Sequence, residues 1–319
     1  MSSPTSPQKP PPQKAQRQPL DTMAIAGLIG LGIVWGLFFS LSRAAGETGI
    51  NPFSILAYVM IAEIPVFLII CKYRRRFPRL FRLASFFFYV AAALLGYMIP
   101  SILELYAAPM IGAGLLTIIV SMTPMMTVSL AFVMRTDHLT KKKVGGVLLA
   151  SLALLPIMLS RGIAVPMPEL AMTGFILALC VTVCYGFYHN VVAKYWPEGE
   201  DGWQLATGEV IVGSVVIIPS VLIINGFDLA PIIDTGFYGM MLGYIVLSAT
   251  SIYLYFYLQE KGGPVFASLA GFISLIAGVV FGMIFFGEHY PWWVSLSILM
   301  MIAAIWLTTS NSPSKEPQA

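Results

Sequence analysis

The stretch LYAAPMIGAGLLTIIVSMTPMMTVSLAFVMRTDHLTKKKVGG, residues 105–146, decides how the chain is read. An apolar run carrying Pro124 ends in an acid–histidine pair, Asp137-His138, and the basic cluster Lys141 to Lys143 follows. The pattern returns near the other end. Tyr257 precedes Glu288-His289 by the same interval at which Tyr106 precedes Asp137-His138. A second copy of one element predicts that the whole chain is a duplication.

The 319 residues around that stretch are 58% hydrophobic and 10% charged, with a mean hydropathy of +0.83. A soluble domain carries roughly a quarter charged residues. So much apolar surface cannot be hidden in a soluble core, so the chain is read as an all-α integral membrane protein. A net charge of +3 gives no footprint for nucleic acid. The three cysteines have no metal-ligand spacing. No metal or cofactor is expected.

A helix needs about 20 apolar residues to span a bilayer. Ten segments qualify: 23–43, 52–71, 84–105, 110–134, 144–160, 171–193, 206–225, 237–258, 264–286 and 292–309. These runs are continuous rather than alternating, which excludes a membrane β-barrel. Residues 1–22, rich in Pro, Gln, Ser and Lys, read as a disordered cytoplasmic tail without a signal-peptide pattern, and 310–319 as a second cytoplasmic tail. If the N-terminus is inside, every one of the 18 Lys and Arg except Arg43 and Arg161 falls on the cytoplasmic side. That asymmetry predicts both termini inside.

The two halves can be laid on each other at a nearly constant offset. Trp35-Gly36 sits opposite Tyr185-Gly186, Pro109 opposite Pro264, and Asp137-His138 opposite Glu288-His289. Each half, 23–160 and 171–309, holds five segments. Five is odd, so the second copy sits upside down. Inverted repeats mark secondary transporters, with the substrate site between the halves near mid-membrane.

At these residues the chain resembles the EamA-type members of the drug/metabolite transporter superfamily. The motifs are the aromatic-Gly pairs Trp35-Gly36 and Tyr185-Gly186, then Pro124, Asp137-His138-Leu139-Thr140 and Gly145 in the first copy, and Glu288-His289 in the second. Asp137 stands where the family has Glu, and Ser274-Leu275 falls where the second copy would carry its proline. The resemblance covers about residues 23–309. It implies two five-helix repeats around a central cavity, in a bacterial inner membrane. It also implies alternating-access transport of a small organic metabolite, an amino acid or related compound, in the export direction. Uptake of a vitamin or amine-type metabolite, or a non-transporting scaffold, is the alternative. No Walker A loop appears, so ATP hydrolysis is not expected, and neither a nucleophile constellation nor H-E-x-x-H supports an intramembrane enzyme.

Ionisable residues inside a bilayer need a reason, since each costs about 2.5–3.5 kcal/mol at the centre. Glu63 lies mid-way along the second segment with no Lys or Arg at comparable depth. It reads either as a proton-coupling site or as an interhelical hydrogen bond to a Ser, Thr or Tyr. Glu104 and Glu260 precede Pro109 and Pro264 at opposite ends of the membrane, as candidate mouths of one pathway or as wet helix ends. Glu209 reads as stabilising the start of the seventh helix. Asp137 and Glu288 are read as structural turns that fasten the fourth and ninth helices.

Aromatics are abundant, including Tyr97, Tyr188, Tyr244 and Tyr255. From them Trp35, Tyr106, Tyr185, Tyr253 and Tyr257 are taken as substrate-cavity candidates, with His189, Asn190 and Ser274. An aromatic cavity suits amphipathic organic substrates and amines through cation–π contact. Small-residue pairs such as Gly32/Gly36 and Gly278/Gly282 permit close helix packing, within the chain or in a homodimer. The partners expected are a small-molecule substrate, protons and the lipid bilayer.

Overall fold

A computed structural model describes residues 22–134, 141–153, 169–225, 235–268 and 270–309. Among them the helices are α1 (Thr22–Gly46), α2 (Pro52–Arg74), α3 (Leu83–Ile111), α4 (Ala113–Val133), α5 (Lys141–Ala153), α6 (Glu169–Tyr195), α7 (Gly202–Asn225), α8 (Thr235–Ser268), α9 (Ala270–Phe286) and α10 (Trp292–Thr309). No strand occurs among the described residues. At least seven helices are long and apolar enough to cross a membrane, so the chain is an all-α, multi-span membrane protein. Asp137, Arg161 and the two terminal tails lie outside the described residues.

Local chemistry sets the ends of these helices. Asn51 caps α2 by accepting the Phe53 N–H at 2.9 Å, with Pro52 in the first turn, where its missing N–H costs nothing. The helix closes on Arg75 in the left-handed region, φ 56°. Lys72 and Arg74 in its last turn complement the helix dipole.

Two expected boundaries move. Pro109 does not open the fourth helix; it sits in the last turn of α3, which continues to Ile111. The break falls instead at Gly112, whose φ of +87° reverses the chain in a single residue. Likewise α8 runs on through Pro264 to Ser268. Pro124 does interrupt α4: residues 121–122 form a turn, and a new segment, Thr123–Val133, starts with Pro124 in its first turn.

In α3, residues Ala93–Met98 form a π-helical stretch. Pro100 cannot donate to Gly96, and its ring crowds that carbonyl, which favours wider winding just before it. Tyr97 lies in this stretch.

The helices meet in exchanged couples. From the first half α1 packs against α9, and from the second half α6 packs against α4. In the same way α1 packs on α8 and α3 on α6. The aromatic-Gly pairs sit at these crossings. A Cβ at Gly36 would collide with Ala277 and the backbone of Gly278, and one at Gly186 would press on Met126 and Leu130. Gly239, by contrast, has nothing within 4 Å, so it makes no such contact.

Two polar clusters tie the ends of the bundle. Glu200, in the α6–α7 loop, accepts the Ser85 hydroxyl at 2.7 Å, the Arg79 N–H at 3.0 Å and the Tyr89 hydroxyl. Asp201 pairs with Arg74 at 3.4 Å and Arg76 at 3.3 Å. The acidic α6–α7 loop thus meets the basic α2–α3 loop.

The second cluster centres on Glu288, just after α9. Its carboxylate accepts the Ala113 N–H at 2.8 Å and the Gly114 N–H at 3.1 Å, pairs with Arg43, and accepts the Tyr290 hydroxyl. Glu288 therefore caps α4 and holds the end of α1 rather than only its own turn.

Candidate functional site

Between the exchanged helices lies a cavity of about 870 Å³ of empty space, counted to its open mouth. Both halves line it. Trp35 on α1 and Tyr185 on α6 face each other's half, with Tyr188 and His189 one turn further along α6. Ser248, Ser251, Ile252 and Tyr255 contribute one face of α8, and Pro124 marks the break in α4. The Trp35 indole donates to Ser251 Oγ at 2.7 Å.

Three tyrosines that line the cavity each donate a hydroxyl to a buried carboxyl group. Tyr97 donates to Glu63 at 2.7 Å, Tyr185 to Glu104 at 2.8 Å, and Tyr188 to Glu209 at 2.9 Å. Tyr97 also bonds Ser248 at 2.6 Å. Glu63 and Glu104 have no exposed surface, and Glu209 is 1% exposed. One oxygen of Glu63 and one of Glu104 have no hydrogen-bond partner among the described residues. Of the three acids, Glu209 reaches the cavity wall itself, while Glu63 and Glu104 stand behind their tyrosines. No Lys or Arg lines the cavity among the described residues.

A neutral network fills the side toward α8. The His189 ring nitrogen Nδ1 bonds the Tyr255 hydroxyl at 3.0 Å, and the Gln259 amide donates to that hydroxyl at 2.6 Å. Tyr188 and Tyr255 stack with centroids 4.9 Å apart.

The sequence candidates divide. Trp35, Tyr185, His189 and Ser274 line the cavity. Asn190 is buried but points elsewhere, donating to the carbonyls of Thr127 at 3.0 Å and Gly186 at 2.9 Å to join α6 to α4. Tyr106 is 37% exposed and borders a separate surface depression beside Gly46 and Asn51. Tyr253 and Tyr257 share a helix face that does not line this cavity: Tyr253 stacks on Trp203 at 3.7 Å, and the neighbouring face, with Ser251 and Tyr255, turns inward.

The acids divide too. Glu104 is not at a wet helix end, because α3 continues past it to Ile111. Glu260 is exposed and accepts the Gly202 N–H at 3.1 Å, capping α7. The two are not equivalent mouths of a pathway. Glu209 is not a helix-end acid either, since α7 begins at Gly202 rather than near 206. That earlier start puts Glu209 about two turns inside.

Sequence reasoning passed over Tyr97, Tyr188, Glu209, Ser248, Ser251, Tyr255 and Gln259 as site residues. A signal existed on α8, where Ser248, Ser251, Ile252, Tyr255 and Gln259 recur at helical spacing.

The EamA-like transporter family matches residues 22–159 and again residues 172–310. The chain belongs to the EamA-like transporter family. Two matches of near-equal length also cover the two halves around which the cavity is built. A solved structure titled "Crystal structure of protein" superposes with a TM-score of 0.62 at 11% identity, over 89% of this chain and 96% of that one, a likeness of fold. No curated protein matches. The protein is a multi-pass membrane transporter that moves small molecules, not an enzyme. Among the described residues no group of three or more His, Cys, Asp or Glu could hold a metal.

Proposed function

We propose that the protein is a secondary transporter that exports a small organic metabolite, an amino acid or related compound, across the cytoplasmic membrane by alternating access. One observation carries this reading: a cavity lies between the two family-matched halves, lined by the aromatic-Gly helix of each. The reading takes residues 23–160 and 171–309 as inverted five-helix repeats, with both termini cytoplasmic. The exchanged couples, α1 with α9 and α6 with α4, support it, because a two-fold relation between repeats demands such exchange. Rocking of one half against the other exposes the cavity to each side in turn.

Glu63 is the coupling candidate. Its carboxyl accepts the Tyr97 hydroxyl of α3, and that hydroxyl in turn bonds Ser248 on α8, so a change in its protonation reaches two cavity-lining groups. The test is counterflow in proteoliposomes across a broad metabolite panel, with and without a pH gradient, on wild type and Glu63→Gln. Loss of pH dependence with retained exchange supports coupling at Glu63. An absence of exchange for every solute sinks the transporter mechanism proposed here. The second reading, an amine-type metabolite moved inward, is favoured by a lining that carries one acid, Glu209, and no Lys or Arg among the described residues.

A further inference from the structure

The geometry points to Glu209 as the counter-charge that selects a monocationic amine for this cavity, with the rings of Trp35, Tyr188 and Tyr255 on the same wall. The inference rests on the transporter reading above, takes its amine-type second reading in place of the amino acid, and names that substrate class. Glu209 is the one acidic side chain on the cavity wall among the described residues, and none of the chain's described ion pairs involves it. Its hydrogen bond comes from Tyr188 at 2.9 Å, a neutral donor that orients the carboxyl without supplying a counter-charge.

A carboxylate withdrawn from water without a cation is costly. A bound ammonium group supplies the missing charge, so the affinity of the site is concentrated on cations. The aromatic side chains add to this. Tyr188 and Tyr255 stack at 4.9 Å, which leaves each ring its outer face, and Trp35 lies 6.5 Å from Tyr255 between centroids, so three aromatic rings stand together on the cavity wall. Such faces attract quaternary and primary ammonium groups.

The same lining disfavours the alternatives. An anion meets Glu209 with no basic side chain to offset it. A zwitterionic amino acid satisfies Glu209 through its ammonium, yet its carboxylate finds hydroxyl groups and, among the described residues, no guanidinium or ammonium.

The test uses the full chain, purified in detergent, and two probe pairs. Choline is compared with its uncharged carbon isostere 3,3-dimethylbutan-1-ol, and 2-phenylethylammonium with zwitterionic phenylalanine. Each cation is expected to bind at least about tenfold more tightly than its partner, a difference of about 1.4 kcal/mol. Glu209→Gln is expected to remove most of that ratio. Glu209→Asp, which keeps the charge, is expected to preserve it, and this guards against reading a folding defect as lost recognition.

Equal affinity within either pair, unchanged ratios in Glu209→Gln, lost ratios in a folded Glu209→Asp, or no binding of either cation at millimolar concentration overturns the inference. Counterflow separates this failure from that of the broader reading. Exchange of zwitterions or anions but not amines leaves the transporter standing and refutes the cation site, whereas no exchange of any solute refutes the transporter.

Discussion

Removing the Glu288 carboxylate should loosen one end of the bundle by a measurable amount. That group accepts two backbone N–H groups, from Ala113 at 2.8 Å and Gly114 at 3.1 Å, and also pairs with Arg43. The side chains of Glu288 and Arg43 are 12% and 21% exposed, so water replaces the lost partners only in part. Hydrogen bonds to charged groups contribute about 1.5–3 kcal/mol each, and stranding a buried charge costs about 3–5 kcal/mol. Arg43 keeps its bond to Glu47 at 2.7 Å, which lowers the cost. Glu288→Ala should therefore destabilise by about 3 kcal/mol, and Glu288→Gln, which still offers one carbonyl acceptor, by about half as much. The assay is denaturant unfolding in mixed micelles. A double-mutant cycle with Arg43→Gln should show a coupling of about 1 kcal/mol or more. An Ala variant within about 0.5 kcal/mol of wild type would refute the claim that this carboxylate fastens α1, α4 and α9 together.

Two further outcomes follow from packing and from the opposite end. A Cβ at Gly96 would overlap the ring of Tyr188, whereas Gly239 has open space, so thermal unfolding should show Gly96→Ala losing about 1–3 kcal/mol and Gly239→Ala gaining up to about 1. Glu200→Ala leaves the Arg79 N–H and the Ser85 and Tyr89 hydroxyls without their acceptor. It should cost about 2–4 kcal/mol in the same assay and speed proteolysis of the α6–α7 loop; an unchanged cleavage rate would argue against that tie.

Hydropathy and loop charge are properties of short windows, and short windows are legible without a fold. The helical membrane class and the two-fold repetition of the chain could therefore be read from residues alone, as could Trp35 and Tyr185 as lining candidates. Helix ends were harder. Pro109 and Pro264 stand at the starts of the apolar segments 110–134 and 264–286, yet a proline breaks a helix only where no neighbour compensates, and here α3 and α8 continue through them. That extension changed the standing of Glu104 and, with the earlier start of α7, of Glu209.

The face that turns inward was decided only by the assembled bundle. In water a helix declares its buried face by contrast with a polar one. In a bilayer the lipid side is as apolar as the interior, so the contrast vanishes. Tyr253 and Tyr255 cannot be told apart by type, although one stacks on Trp203 and the other lines the cavity. The pairing of Tyr97 with Glu63, Tyr185 with Glu104 and Tyr188 with Glu209 joins residues on different helices, and no local pattern encodes it. The sequence alone determined that this chain is a helical membrane protein with two related halves. The tertiary structure decided where its acids meet its tyrosines, because that depends on how apolar helices are rotated against one another.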